Sequence, residues 1–276
     1  MSHPLPILTV ITPCLNAAKT IDDTLASVAR AAEACVARGA RLEHVVVDGG
    51  STDGTLDKVR LHQADVPFCT LLRNVDGGPY AAMNAGLALA TGHYSHILNA
   101  DDILLDVEGY VDAVHAARNN SMDVILCSII YFRRPGRQWL HPWLVEPLPA
   151  CHDVWLGHLR RGLHYPHPGF IARTDLYRAE SFDMRFSLSA DYKLMQSLLL
   201  GPELEGRVAV SSKPLIGMAE GGASAGWRSV WAGRSQLAEI NGQLGISAPA
   251  WRRYGAKMWQ RLQARLLGAV DARRLG

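Results

Sequence analysis

The first half of the chain alternates short apolar runs with longer amphipathic segments, and this alternation limits the folds open to it. The runs are rich in Val, Ile and Leu and have no polar face, as in strands covered on both sides. Strands separated by helices form a parallel sheet with helices on both faces, so we predict an α/β fold. The predicted strands are 7–12, 43–48, 67–73, 94–99 and 122–128, and the predicted helices are 20–38, 55–62, 80–90 and 106–119.

Composition narrows the class of protein further. The 276 residues are 48% hydrophobic with a formal net charge of +2, which excludes disorder as a description of the whole chain. No run approaches the roughly 18–20 apolar residues of a membrane span, and residues 1–4 do not resemble a signal peptide. The five cysteines are scattered without a Cys-x-x-Cys pair, which argues against a disulfide framework or a zinc motif. We therefore predict a cytoplasmic protein.

Charge divides the chain into an acidic body, residues 1–224, and a basic C-terminal region, residues 225–276. The C-terminal region has nine Lys or Arg against two acids, whereas the body has 19 basic and 24 acidic residues. From Ala248 onward, apolar residues recur every three or four positions, which predicts a basic amphipathic helix. Two roles stay open for it: contact with an anionic membrane surface, or packing on the body or a second subunit. Nucleic acid is not an expected partner, because the basic residues are confined to this region.

Acidic residues follow three of the predicted strands, where a parallel sheet binds its ligands. Asp48 opens a glycine-rich turn, Asp76 opens a second, and the adjacent Asp101 and Asp102 follow the fourth strand. Neighbouring carboxylates repel each other unless something offsets their charge. A divalent cation such as Mg²⁺ would do so, since it prefers oxygen ligands. The other interpretation is a negative charge placed near the start of the helix 106–119.

Three common nucleotide-binding or hydrolase signatures are missing. The chain has no Gly-x-Gly-x-x-Gly after its first strand, no Gly-x4-Gly-Lys-Ser/Thr and no Gly-x-Ser-x-Gly. This argues against dinucleotide-dependent hydride transfer, P-loop chemistry and an α/β-hydrolase.

Six segments together resemble the family 2 inverting glycosyltransferases, which have the GT-A fold. They are LTVITPCLN at 8–16, VVVDGGSTDGT at 45–55, DGGPYAAMNAG at 76–86, LNADD at 98–102, HPGFI at 167–171 and SADYKLM at 189–195. The likeness covers about residues 5–224 and is greatest to the bacterial exopolysaccharide, colanic-acid-type branch. It implies a GT-A-like, mostly parallel sheet with helices on both faces, and the predicted C-terminal helical appendage lies outside the match. Residues 1–128 would bind the nucleotide-sugar and residues 129–224 the acceptor.

The resemblance also implies roles for individual residues, in an enzyme that moves one sugar from a nucleotide-sugar to a hydroxyl of a saccharide. Asp191 matches the general base, and His167 and Tyr80 lie in acceptor-side segments. Asp102, more than Asp101, matches the ligand of Mn²⁺ or Mg²⁺, while Asp101 faces the ribose or sugar. The nucleotide-sugar site comprises Thr12, Pro13, Cys14, Asp48, Arg73, Asp76 and Asp101. The chain departs from many relatives at Asn99, where they have Asp, and at Cys14, where they often have an aromatic residue.

A lipid-linked or exopolysaccharide acceptor would suit a protein that lies peripherally on the inner face of the membrane. Two other functions are compatible with a nucleotide-binding sheet that carries carboxylates. A nucleotidyltransferase would need a basic, glycine-rich loop after the first strand, and residues 13–18 lack one. A non-catalytic nucleotide-sugar or glycan-binding protein would bind the cation and donor without transfer or hydrolysis.

Overall fold

The computed structural model describes residues 5–248, apart from residues 67, 135, 202–203, 205 and 221–226. The helices are α1 (Ile21–Ala37), α2 (Thr55–Asp65), α3 (Pro79–Leu89), α4 (Val107–Asn119), α5 (His152–Arg160), α6 (Thr174–Glu180), α7 (Ala190–Leu200) and α8 (Trp227–Leu244). The strands are β1 (Leu8–Cys14), β2 (Leu42–Asp48), β3 (Cys69–Leu72), β4 (Tyr94–Ile97), β5 (Ile103–Leu104), β6 (Val124–Arg133), β7 (Gln138–Trp143), β8 (Phe170–Arg173) and β9 (Val208–Ala219). A single 3-10 turn, His167–Gly169, precedes β8.

The strands form one mixed sheet in the order β3-β2-β1-β4-β8-β6-β9-β5, with β7 paired to β6. The first four strands are parallel neighbours, as the alternating pattern predicts. Strand β8 lies between β4 and β6 and is antiparallel to both. The sequence pattern did not reveal this insertion. It brings the start of β8 to the edge of the sheet where β1, β2 and β4 end.

Apolar side chains cover both faces of the sheet, which confirms the predicted α/β architecture. On one face, β1 contributes Ile11 to a cluster that includes residues of α3, α6, α7 and α8. On the other face, Leu8 and Val10 of the same strand pack with residues of α1 and α4. Adjacent residues of a strand point to opposite faces, so a run of apolar residues is what a strand covered twice requires.

Helix α8 packs on the body of the protein. Leu237 and Ile240 are buried, and the Tyr192 hydroxyl of α7 lies 2.9 Å from Oδ1 of Asn241. The amphipathic helix predicted after Ala248 lies outside the described residues. Among the helices that the structure describes, we find none with the length and apolarity needed to cross a membrane.

Candidate functional site

The loop after β2 is built around the Asp48 carboxylate. Asp48 is the last residue of β2, pairs in register with Cys14 of β1 and is fully buried. Its Oδ2 accepts hydrogen bonds from the amides of Gly50 and Ser51 at 2.9 and 3.0 Å. Burial, then the Asp48 charge, raises the pKa of the Cys14 thiol to about 12, so Cys14 is a neutral thiol. The carboxylate thus organises the turn that follows it.

A second loop, after β1, is joined to this turn by several hydrogen bonds. Asn16 has a positive φ of 50°, its Oδ1 accepts from the Thr52 amide at 2.9 Å, and its own amide donates to Ser51 Oγ at 2.8 Å. The Ala18 amide donates to Asp53 Oδ2 at 3.0 Å. The two loops therefore form one unit. Sequence reasoning gave no role to Asn16, although an Asn directly after a strand end is a usual sign of a left-handed turn residue.

The two adjacent carboxylates after β4 have different environments. Asp102 is 1% exposed, and its Oδ1 and Oδ2 accept hydrogen bonds from the Ala219 amide at 2.8 Å and Asn99 Nδ2 at 3.1 Å. Asp101 is partly exposed, and its carbonyl oxygen accepts from an Arg134 guanidinium nitrogen at 3.2 Å. Asp102 thus fixes the loop internally, whereas Asp101 has the more accessible carboxylate.

The protein supplies little positive charge to offset the carboxylates of Asp101 and Asp102. Burial, then the charge of Asp101, raises the pKa of Asp102 to about 8, and burial also raises the pKa of Asp101. The positive charge of Arg134 opposes the rise in the pKa of Asp101. Arg134 is shared, however, because it also donates a hydrogen bond to Asp23 of α1 at 2.6 Å. A site that holds two carboxylates against their mutual repulsion is chemically suited to a divalent cation with oxygen ligands. These oxygen ligands therefore fit Mn²⁺ or Mg²⁺.

Arg134 is a residue of this site that the sequence did not single out. It belongs to the hairpin between β6 and β7 and reaches both α1 and the backbone of Asp101. Its Nε is buried without a hydrogen-bond partner, and its guanidinium lies 5.2 Å from the centre of the Phe132 ring. No local motif marks such a residue, since its partners lie more than 30 positions away.

Three residues predicted for catalysis or for the acceptor side, Tyr80, His167 and Asp191, lie around the Phe182 ring. The Tyr80 hydroxyl, at the start of α3, donates to Oδ1 of Asp191 in the first turn of α7 at 2.9 Å. The Tyr80 ring stacks on Phe182, with centroids 5.5 Å apart, and the His167 ring meets Phe182 edge-on at 5.8 Å. Burial lowers the pKa of His167, and the nearby Asp191 carboxylate opposes this shift. His167 is therefore a neutral ring at pH 7, and its Nε2 is buried without a hydrogen-bond partner.

The topology brings these groups to one edge of the sheet. His167 begins the turn before β8, and because β8 is antiparallel to β4 this turn lies where β4 ends. His96 of β4 fixes the turn through a 2.8 Å hydrogen bond from Nε2 to the carbonyl oxygen of Pro168. Gly169 is required there, since an added Cβ would lie 2.1 Å from the Cys127 carbonyl oxygen.

The remaining predicted residues occupy the same edge with fewer contacts. Thr12 is buried, and its Oγ1 lies 3.0 Å from His44 Nε2. Pro13 follows Thr12 in β1. Arg73 and Asp76 are exposed in the loop between β3 and α3. Asp76 Oδ1 accepts from the Gly77 amide at 2.7 Å, within its own turn. The structure brings Tyr80 and Asp191 into contact and places both Tyr80 and His167 against the Phe182 ring. Arg73 and Asp76 have no hydrogen bond or ion pair to Asp48, Asp101, Asp102 or Asp191 in the described part of the chain.

Comparison with known protein families identifies the family to which the chain belongs. The profile described as "Glycosyl transferase family 2" matches residues 9–185, which include the Asp48 loop, Asp101, Asp102 and His167. The chain belongs to glycosyl transferase family 2. The match ends before Asp191, so the position of Asp191 is known from the fold and not from the family match.

Curated relatives match only part of the chain. A "PGL/p-HBAD biosynthesis glycosyltransferase" of Mycobacterium bovis (strain BCG / Pasteur 1173P2) is 38% identical over 104 residues, or 37% of this chain and 38% of the relative. An "Undecaprenyl-phosphate 4-deoxy-4-formamido-L-arabinose transferase" of Pseudomonas syringae pv. syringae (strain B728a) is 29% identical over 133 residues, or 44% and 38%. The chain spans about two fifths of the length of these family members.

Solved structures extend the likeness to nearly the whole fold. S. aureus TarS 1-349 in complex with UDP-GlcNAc has a TM-score of 0.58 and 21% identity, covering 84% of this chain and 65% of that one. The mannosyltransferase PcManGT from Pyrobaculum calidifontis, in complex with GDP-Man and Mn²⁺, has a TM-score of 0.55 and 19% identity, with coverages of 98% and 78%. The GT-A-type fold expected of this family is therefore confirmed.

Proposed function

We propose that this chain is an inverting glycosyltransferase that moves one sugar from a nucleotide-sugar to a hydroxyl group of a saccharide. The observation that carries the proposal is the 2.9 Å hydrogen bond from Tyr80 to Asp191. It holds a carboxylate ready to accept a proton at the sheet edge that also bears Asp101 and Asp102. Family membership, and likeness to structures in complex with UDP-GlcNAc and with GDP-Man, support a nucleotide-sugar donor.

The donor site in this proposal is the pair of joined loops after β1 and β2. Thr12, Pro13 and Cys14 would line the base and ribose, with the loop ordered by Asp48 closing over them. Asp48 is fully buried, so its direct bond to the base remains a prediction. The exposed Arg73 and Asp76 are proposed to meet the donor from the neighbouring loop.

We assign Asp101 and Asp102 to a divalent cation, Mn²⁺ or Mg²⁺. Exposure favours Asp101 as the direct ligand, because both carboxylate oxygens of Asp102 already accept hydrogen bonds from the protein. This reverses the preference for Asp102 that the motif suggested. A cation bound there would offset the charge that develops on the departing nucleoside diphosphate.

The reaction then follows from the position of Asp191. An acceptor hydroxyl is a poor nucleophile, so its proton must pass to a carboxylate as its oxygen bonds to the anomeric carbon. The bond from that carbon to the diphosphate oxygen breaks at the same time, and attack from the opposite face inverts the configuration. Tyr80 holds the carboxylate in place, and the neutral His167 would line the acceptor side.

For the acceptor, we propose a lipid-linked or exopolysaccharide saccharide. The support comes from the names of relatives, one of which includes undecaprenyl phosphate. Assignment to the colanic-acid-type branch, a cytoplasmic location and contact with the inner face of the membrane all remain predictions.

Replacement of Asp191 by Asn separates the catalytic role from donor binding. We expect turnover to fall by roughly 10²–10⁴-fold, the usual contribution of a general base. Thermal stabilisation by UDP, GDP or TDP in the presence of Mn²⁺ should remain that of the wild type. The assay is transfer or donor hydrolysis, with Asp183→Asn as the matched control, because Asp183 is paired with Arg185 and Lys193.

Three results would contradict the proposal in different ways. Equal loss of donor binding and turnover in Asp191→Asn would remove the general-base role. Stabilisation of the wild type by donor and Mn²⁺ without transfer or hydrolysis would favour a binding protein. Release of inorganic diphosphate from a nucleoside triphosphate and a sugar phosphate would favour a nucleotidyltransferase.

A further inference from the structure

Three side chains of types that bind transition metals face one another in the interior, away from the carboxylates. They are His44 of β2, His62 of α2 and Cys69 of β3, and one potential ligand atom from each lies within 4.8 Å of the other two. His44 and Cys69 are register partners on adjacent parallel strands. The cluster therefore joins α2 and β3, the strand at the end of the sheet, to β2.

Two hydrogen bonds connect the His44 ring to β1 and to the second histidine of the cluster. His44 Nε2 lies 3.0 Å from Thr12 Oγ1, and His44 Nδ1 lies 2.9 Å from His62 Nε2. A hydrogen bond from a histidine to a neighbouring polar group is the usual way in which the tautomer of a metal ligand is fixed. With its proton on Nε2, His44 has the lone pair of Nδ1 on the side of His62.

In the metal-free protein, the 2.9 Å hydrogen bond between His44 Nδ1 and His62 Nε2 has its proton on one of these two nitrogens, so this proton must move to another site before both can bind a metal. Burial lowers the pKa of His44 well below its ordinary value, and the charge of His62 would act in the same direction, so the His44 ring is neutral. Burial raises the pKa of the Cys69 thiol to about 12. A bound cation deprotonates a coordinating thiol outright, so binding would release one proton from Cys69.

We propose that His44 Nδ1, His62 Nε2 and Cys69 Sγ bind one Zn²⁺ ion, with water as the fourth ligand. Two imidazoles and a thiolate suit zinc far better than Mn²⁺ or Mg²⁺. Bond lengths of about 2.1 Å to nitrogen and 2.3 Å to sulfur place ligand atoms about 3.3–3.6 Å apart, so shifts of about 1 Å complete the site. Cys69 is only partly buried, which gives the ion and its water a route from solvent.

The ion would stabilise the elements behind the donor loops rather than take part in transfer. Helix α2 follows directly on the loop after Asp48, and Thr12 connects His44 to β1. The sequence did not indicate the site, since its ligands are 18 and 7 positions apart, unlike zinc-finger spacings. The proposal is independent of the glycosyltransferase function.

Cobalt substitution tests the site directly, because a thiolate bound to Co²⁺ gives an intense near-ultraviolet charge-transfer band that carboxylate ligands do not. The protein is reduced, stripped with a chelator and titrated with Co²⁺, then with Zn²⁺. We expect one equivalent to produce the band and Zn²⁺ to abolish it. Cys69→Ser and His62→Gln should lose the band and weaken Zn²⁺ binding by about 100-fold or more.

Variants of two other cysteines test whether the charge-transfer band comes from Cys69. Cys35→Ser removes a buried thiol of α1, and Cys151→Ser removes an exposed one beside His152, and both should retain the band. Absence of the band in the wild-type protein would overturn the proposal and leave a metal-free His44–His62 hydrogen bond. Its persistence in Cys69→Ser would do the same by assigning the thiolate to another cysteine.

Discussion

At the scale of single residues, the Tyr80 hydroxyl acts through Asp191 and not on a substrate. Its hydrogen bond to Oδ1 is 2.9 Å long, and the stack on Phe182 fixes the ring independently of that bond. Removal of the hydroxyl therefore leaves the aromatic packing in place while the carboxylate gains freedom to rotate. Tyr80 is a positioning residue in this arrangement.

Tyr80→Phe is expected to lower turnover about tenfold with donor affinity unchanged. One hydrogen bond to a charged group is worth about 1.5 kcal/mol or more, and 1.4 kcal/mol corresponds to a factor of ten in rate. Steady-state kinetics with varied donor and acceptor give the measurement. Tyr94→Phe is the matched control, because it removes a 2.5 Å hydrogen bond to the Met122 carbonyl oxygen at the opposite end of β4. A Tyr80→Phe enzyme with wild-type turnover would show that Asp191 needs no such support.

Sequence reasoning identified the carboxylates of the site more readily than their supporting residues. Asp48, Asp101 and Asp102 follow strands, so the rule that ligands bind at the carboxyl ends of parallel strands was enough to select them. Arg134 and Asn16 were missed because their partners are distant in sequence or are backbone amides. The different exposures of Asp101 and Asp102 likewise depend on Ala219, 117 positions from Asp102.

At the scale of elements, His96 connects β4 to the turn that carries His167. Its Nε2 faces the Pro168 carbonyl oxygen at 2.8 Å and must donate to it, so its Nδ1 accepts from the Tyr110 hydroxyl at 2.8 Å. In this neutral form both ring nitrogens have a hydrogen-bond partner. Burial accordingly lowers the pKa of His96 to about 4.

Acid should therefore weaken the fold through His96. Its pKa is lower in the folded chain than the value of about 6.5 in an unfolded one, so the unfolded state binds more protons between these values. The stabilisation is complete above about pH 6.5 and is lost as the pH falls toward 4, by up to about 3 kcal/mol. Urea unfolding at several pH values measures the trend, and NMR titration of the imidazole assigns it. Titration of His96 near pH 6.5 in the folded protein would contradict this prediction.

The glycine of the same turn permits its close approach to β6. Gly169→Ala should lower the free energy of unfolding by about 1–3 kcal/mol, because the new Cβ would meet the Cys127 carbonyl oxygen at 2.1 Å. It should also reduce turnover, since the turn that carries His167 must move. Gly242→Ala in α8 is the control, with no atom within 4 Å of the added Cβ. Denaturant unfolding measures the stability of both variants, and transfer assays measure their turnover. Equal stability of the two variants would exclude a tight contact between residue 169 and the Cys127 carbonyl oxygen.

The sequence predicted the bounds of helices and strands where these depend on a local pattern of apolar residues. It did not predict the position of a strand in the sheet, which depends on distant residues. Helix α3, Pro79–Leu89, differs by one residue at each end from the predicted range 80–90, and β2 differs from its predicted range by one residue. The position of β8 between β4 and β6 is decided by pairing with both neighbours. A strand of four residues contains too little sequence pattern to indicate its neighbours or its direction.

At the scale of the whole molecule, the charge boundary near residue 225 does not separate two independent structural units. Ile240 of α8 is fully buried in the cluster that contains residues of α3, α6 and α7. The Leu188 amide donates to Gln236 Oε1 at 3.0 Å, close to the start of α7. The first part of the basic region therefore supports the helix that carries Asp191.

Ile240→Ala is expected to lower the free energy of unfolding by about 2–5 kcal/mol, the usual cost of such a cavity in a core. Because α8 shares that core with α7, a single transition should shift as a whole in both circular dichroism and tryptophan fluorescence. Glu239→Ala changes the exposed neighbour on the same helix and should stay within about 0.5 kcal/mol of the wild type. Two separate transitions, with only the smaller one displaced by Ile240→Ala, would mean that α8 unfolds independently and that Asp191 does not depend on it.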